Sequence, residues 1–132
     1  MLDIDHFKTI NDRFGHSAGD EALRALARAM ELNVRPFDQI FRVGGEEFAV
    51  LLSNTEIGEA RLAAERLREA AAAIRVSAGS DIIELTISVG VATAGYGARA
   101  EDVVSTADAA LYRAKASGRN RVEVDTPRPA DA

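Results

Sequence analysis

The chain has 132 residues, 47% of them hydrophobic and 28% charged, with a net charge of −5 and no cysteine. That length and apolar content suffice for one domain around a single core, and the absence of thiols excludes disulfides and thiolate zinc sites. The acidic balance disfavours a nucleic-acid partner, which needs a basic surface to displace counterions, but divalent cations can reconcile an acidic site with a nucleotide.

"MLDID" reads as the end of a strand that starts earlier, because strands usually run about five or six residues. "HFKTINDRFG" reads as a short helix closed by Gly15. "SAGDEALRALARAMELN" reads as a longer one, with Leu23, Leu26 and Met30 on one face and Asp20 and Glu21 in its first turn. "QIFRV" and "EFAVLL" are strands joined through Gly44 and Gly45, a pair suited to the positive backbone angles of a tight hairpin. "SNTE" predicts a capping box opening a helix whose apolar stripe is Ile57, Ala60, Ala64, Leu67, Ala71 and Ile74.

"DIIELTISVGVAT" predicts one long strand, with Gly90 marking a bulge or a close backbone approach. "AEDVVSTADAALYRAKASG" predicts the last helix, with Val104, Ala107, Leu111 and Ala114 on one face and Gly118 as its cap. "RVEV" is a final short strand, and the polar residues 126–132 are expected to fray. No apolar run approaches the ~18 residues of a membrane span and the front lacks the features of a signal peptide, so the expectation is a soluble cytoplasmic segment without membrane contact.

The order of elements fits an α+β fold with a mainly antiparallel central sheet flanked by helices. If the first strand lies antiparallel beside the second hairpin strand, Asp3 and Glu46 meet at one edge of the sheet. Acids converging from separate segments repel one another unless a cation lies between them.

Five blocks carry a resemblance to a known family: "DIDHFKTIND", "FGHSAGDEAL", "GGEEF", "TISVGVA" and "YRAKASGRN". In this order they resemble the GGDEF domain, the catalytic domain of bacterial diguanylate cyclases, which join two GTP molecules into cyclic di-GMP. The resemblance implies a nucleotidyl-cyclase or palm-like sheet with a ferredoxin-like core. Members of the family normally carry one more helix and most of the first strand upstream, so residues 1–125 are expected to form a GGDEF domain that lacks its N-terminal portion.

The resemblance also assigns roles. Asp3, the Ile4 carbonyl and Glu46 match metal ligands for Mg²⁺ or Mn²⁺, two ions per GTP. Glu46 and Glu47 match the catalytic acids, Glu47 assisting either at the metal or with the attacking hydroxyl. His6, Phe7 and Lys8 fall where backbone amides at a helix N-terminus meet phosphates, and Gly44 and Gly45 leave room for the nucleotide. Asn11 and Asp20 match the guanine-reading positions, with the donor and acceptor chemistry that the base edge needs. Lys115 and Arg119 match phosphate contacts. "RPFD" matches an inhibitory product site made by Arg35 and Asp38, five residues before the signature, with Arg66 as a secondary arginine.

The implied function is a diguanylate cyclase acting as a homodimer, inhibited by its product and controlled by an upstream sensor or receiver domain. The alternative is an incomplete GGDEF domain that binds GTP or cyclic di-GMP and signals without chemistry.

Overall fold

The structure, a computed structural model, describes residues 1–125; the reading of 126–132 as a frayed tail lies outside the described residues. In chain order the elements are β1 (Leu2–Ile4), α1 (Phe7–Phe14), α2 (His16–Glu31), β2 (Gln39–Arg42), β3 (Glu47–Leu51) and α3 (Ile57–Ala72), then β4 (Val76–Ala78), β5 (Asp81–Ile83), β6 (Ile87–Ala92), α4 (Ala100–Ala116) and β7 (Val122–Asp125). Five strands make the main sheet in the order β2-β3-β1-β6-β7. Its pairs are antiparallel except β6 with β7, which run parallel because α4 forms the crossover between them.

Alternation along the strands sorts the sheet into two faces. Leu2, Ile4, Phe48, Ile87 and Val89 point into the main core, where Leu23, Leu26 and Met30 of α2 and Ala64, Leu67 and Ala71 of α3 close over them. The opposite face carries Asp3, Ser88 and Gly90 and is covered by α4. That helix buries mostly alanines, Ala107, Ala110 and Ala114, beside Leu111, so its backbone comes down onto the strand. A Cβ on Gly90 would stand 2.2 Å from the Ala107 carbonyl oxygen and 2.3 Å from the Leu111 nitrogen. The glycine therefore marks a close approach. Met1 continues the ladder, its nitrogen donating to Gly90 O at 2.9 Å and its carbonyl accepting from Gly90 N at 2.8 Å. Beyond Met1 a cleft of about 570 Å³ opens, with Val50 and Leu51 of β3, Val91 and Ala92 of β6 and Leu67 of α3 in its walls.

Four local expectations are corrected. The run from Asp81 is not one strand: β5 ends at Ile83, β6 begins at Ile87, and β5 pairs instead with β4, a strand not foreseen in "VSA". Gly79, at φ 63°, makes the turn between them. "SNTE" forms no capping box, because the N-cap of α3 is Glu56 without a side-chain cap bond and the Ser53 hydroxyl donates to Phe37 O instead. Helix α2 begins at His16, leaving no acid in its first turn, so Asp20 lies where the helix dipole acts less. Val104, expected in the buried stripe of α4, is 46% exposed, and Ala110 is buried in that stripe.

Candidate active site

The end of β1, the β2–β3 turn and the last turns of α4 meet at one end of the sheet. Across the ladder Asp3 pairs with Glu47, and the Ile4 amide donates to Glu46 O at 3.3 Å. The expected meeting of Asp3 with the acidic turn thus occurs one residue further on, at Glu47, whose side chain shares a face with that of Asp3 because directly opposed residues do. Asp3 is 4% exposed. Its Oδ2 is paired with the Lys115 ammonium from α4, and its Oδ1 has no hydrogen-bond partner. Within the chain, Lys115 is the cation that buried Asp3 requires.

A buried carboxylate oxygen without a donor costs about 1–3 kcal/mol or more, and it is a hard oxygen of the kind that Mg²⁺ or Mn²⁺ takes. No three acidic or histidine side chains among the described residues stand close enough to hold a metal by themselves. A small divalent ion that takes one or two carboxylates, waters and substrate phosphates does not need three. The donor set present fits such an ion. Ile4 gives its side chain to the core, which leaves only its backbone for a ligand role.

Gly44 and Gly45 serve the turn differently from expectation. Neither has a positive φ, because the connection is longer than a two-residue hairpin and closes through Val43 N and Gly44 N donating to Glu47 O at 2.9 and 3.3 Å. Arg42 pins the turn, donating to Gly44 O at 3.2 Å and Gly45 O at 2.7 Å. A Cβ on Gly45 would meet nothing within 4 Å, and one on Gly44 nothing closer than Glu47 Oε2 at 3.6 Å. What the glycines leave is open surface beside the acids.

His6, at φ 55°, turns the chain from β1 into α1. Its side chain and that of Lys8 are exposed, whereas Phe7 packs against the core. Asn11 lies over Gly19 so closely that a Cβ there would stand 1.8 Å from Asn11 Oδ1. The missing side chain at Gly19 lets α1 and α2 approach, and it brings Asn11 beside the residue preceding Asp20. After α4, the Gly118 amide donates to Lys115 O at 3.3 Å and the Arg119 amide to Ala114 O at 3.0 Å, the paired bonds of a Schellman cap. Gly118, Arg119 and Asn120 all have positive φ, at 121°, 64° and 46°.

At the end of the β2–β3 pair opposite the glycine turn, where Gln39 pairs with Leu51, Arg35 and Asp38 form a clamp. Asp38 accepts from the Arg35 amide at 2.8 Å and from Ser53 N at 3.3 Å, while Arg35 donates to Thr55 Oγ1 at 2.5 Å. Arg35, Asp38 and Arg66 line one hollow of about 190 Å³, so the structure brings Arg66 to the Arg35–Asp38 pair, from which the sequence holds it 28 positions away.

The sequence matches the family model "Diguanylate cyclase, GGDEF domain" over residues 1–121. The chain belongs to the GGDEF family. It is 46% identical over 125 residues to the response regulator PleD of Caulobacter vibrioides, covering 92% of this chain and 28% of PleD. The diguanylate cyclase SiaD of Pseudomonas aeruginosa, solved with its activator SiaC, superposes with a TM-score of 0.91 at 41% identity, over 94% of this chain and 48% of the SiaD chain. The GGDEF domain of DgcB from Caulobacter crescentus, solved with c-di-GMP, gives 0.88 at 34% identity, over 93% of this chain and 74% of that one. The chain thus spans less than a third of the length of PleD.

Sequence reasoning passed over Asp5 of this GGDEF domain, although "DID" carried the signal: residues two apart on a strand share a face, so Asp5 lies on the face of Asp3. The Asp38 clamp makes a prediction. Burial raises the Asp38 carboxyl, but the hydrogen bonds from the Arg35 amide, the Arg35 guanidinium and Ser53 N, with the Arg35 charge, outweigh it and hold the group below its ordinary 3.8. A depressed carboxylate contributes stability in full above that unfolded value and loses it as pH falls through the folded one. The melting-temperature gap between the parent and Asp38→Asn should therefore stay constant from about pH 7 to about pH 5 and shrink below 3.8. A gap that widens in acid would contradict the assignment.

Proposed function

We propose that this chain is the cyclase domain of a diguanylate cyclase, which condenses two GTP molecules into cyclic di-GMP and releases pyrophosphate. The observation that carries the reading is Asp3: a buried carboxylate with one unpartnered oxygen, directly across the ladder from Glu47, beneath an open glycine turn and against Lys115. Membership of a family whose relatives are diguanylate cyclases supports it.

Asp3, the Ile4 carbonyl and Glu46 hold two Mg²⁺ or Mn²⁺ ions per GTP, which when bound offset the charge of the phosphates at the reacting centre. The amides at His6, Phe7 and Lys8 and the charges of Lys115 and Arg119 hold the triphosphate, and Asn11 and Asp20 read the guanine edge. In a homodimer two such sites face each other, so that each 3′-oxygen forms a bond to the other nucleotide's α-phosphorus. The bond from that phosphorus to the bridging oxygen breaks and pyrophosphate leaves, while the hydroxyl proton passes to Glu46, Glu47 or water. Positioning supplies most of the rate. Product binds at Arg35, Asp38 and Arg66 and slows turnover, and an upstream sensor or receiver domain controls pairing in the cytoplasm. Among the described residues no helix is long and apolar enough to cross a membrane.

The test is chromatography of the products after incubating the purified chain with GTP and Mg²⁺. Cyclic di-GMP is expected, at a rate that rises faster than linearly with protein concentration in the dilute range. Strict proportionality there would overturn the dimer. A folded chain that binds GTP yet forms no product would overturn the cyclase reading in favour of a binding module.

A further inference from the structure

Asp5 is 6% exposed. Its Oδ1 accepts from Ser88 Oγ at 2.6 Å, and its Oδ2 accepts from Thr86 Oγ1 at 2.7 Å and from the Asn120 amide at 3.0 Å. Its own amide donates to Thr86 O at 2.9 Å. Three donors from two segments converge on this side chain, a demand that a carboxylate, which only accepts, meets in full.

Both turns beside Asp5 are conformationally unusual. His6, the next residue, has φ 55°, and Asn120 ends the run of three positive φ angles that includes Arg119. Non-glycine residues stay in such conformations only where their surroundings over-determine them. The Schellman bonds fix the start of the α4–β7 turn, while the Asp5 carboxylate and the Arg68 guanidinium, which donates to Asn120 Oδ1 at 3.0 Å, fix its end.

We propose that Asp5 is a positioning residue for Arg119 at the triphosphate site: it ties the α4–β7 turn, with Arg119, to the start of β6, and so sets the backbone from which Arg119 reaches phosphate. The proposal rests on the reading of Arg119 as a phosphate contact. A solely structural role would cost stability and lower GTP binding equally whether or not Arg119 were present. A positioning role acts through Arg119 and vanishes with it.

The experiment is a double-mutant cycle of Asp5→Asn with Arg119→Ala, read as GTP affinity by calorimetry in Mg²⁺, with amide hydrogen exchange followed at Asn120. Asp5→Asn is expected to weaken GTP binding about tenfold in the parent and less than about twofold in Arg119→Ala, and to speed Asn120 exchange about tenfold. Equal losses in both backgrounds, or unchanged exchange at Asn120, would overturn the proposal alone. A folded parent that binds no GTP would overturn the phosphate reading and this proposal with it. If Asp5→Asn does not fold, Thr86→Val, which removes the other donor to Oδ2, should give the same pattern with a smaller loss, and additive losses there would overturn the proposal.

Discussion

Asp3→Ala should reduce formation of cyclic di-GMP by about a thousandfold or more while leaving the melting temperature within a few degrees of the parent. The two effects separate because Asp3 is poorly satisfied as a structural group. Its Oδ1 is buried without a donor, so the substitution removes a desolvated charge along with its one favourable pair. Removing one partner of a buried ion pair is severe when the other charge is left stranded. Lys115, however, is 33% exposed and can be hydrated where it stands. A residue kept for packing would behave in the opposite way, losing stability and activity together. Product assays beside thermal melts decide between them: a loss of many degrees with proportionate loss of activity would mark Asp3 as structural, and unchanged turnover would remove it from the reacting centre.

Gly90→Ala should cost about 3 kcal/mol or more, lowering the melting temperature by about 10 °C. Overpacking is mild when the obstructing atoms belong to a side chain that can swing away. Here they are backbone atoms of α4, at Ala107 and Leu111, with the Leu111 Cα also only 2.9 Å from the added carbon. The helix must lift, and with it the alanine contacts that hold it to β6. Because Lys115 rides on that helix against Asp3, activity should fall further than the unfolded fraction explains. Gly58→Ala is the control: nothing lies within 4 Å of its Cβ position and it sits in α3, so stability should hold or rise by about 0.5–1 kcal/mol. Comparable losses in the two variants would mean that the close approach of α4 does not decide the effect.

The sequence by itself determined the long helices, the β2–β3 hairpin and the chemical identity of the acidic turn. These rest on local periodicity and on glycine punctuation, which a chain expresses before it folds. It also showed that Gly90 mattered, offering a bulge or a close approach without choosing between them. The choice belonged to α4, because only packing brings Ala107 and Leu111 to that strand. Tertiary structure also decided that β5 turns back onto β4 rather than running on into β6, since three-residue strands are defined by their partners and carry too few side chains to show a period. The pairing of Asp3 with Lys115, 112 positions apart, could be suspected only as a need for positive charge. Asp5 had to be seen in place, because a carboxylate reveals its role through the donors around it, and those donors come from the start of β6 and the turn after α4.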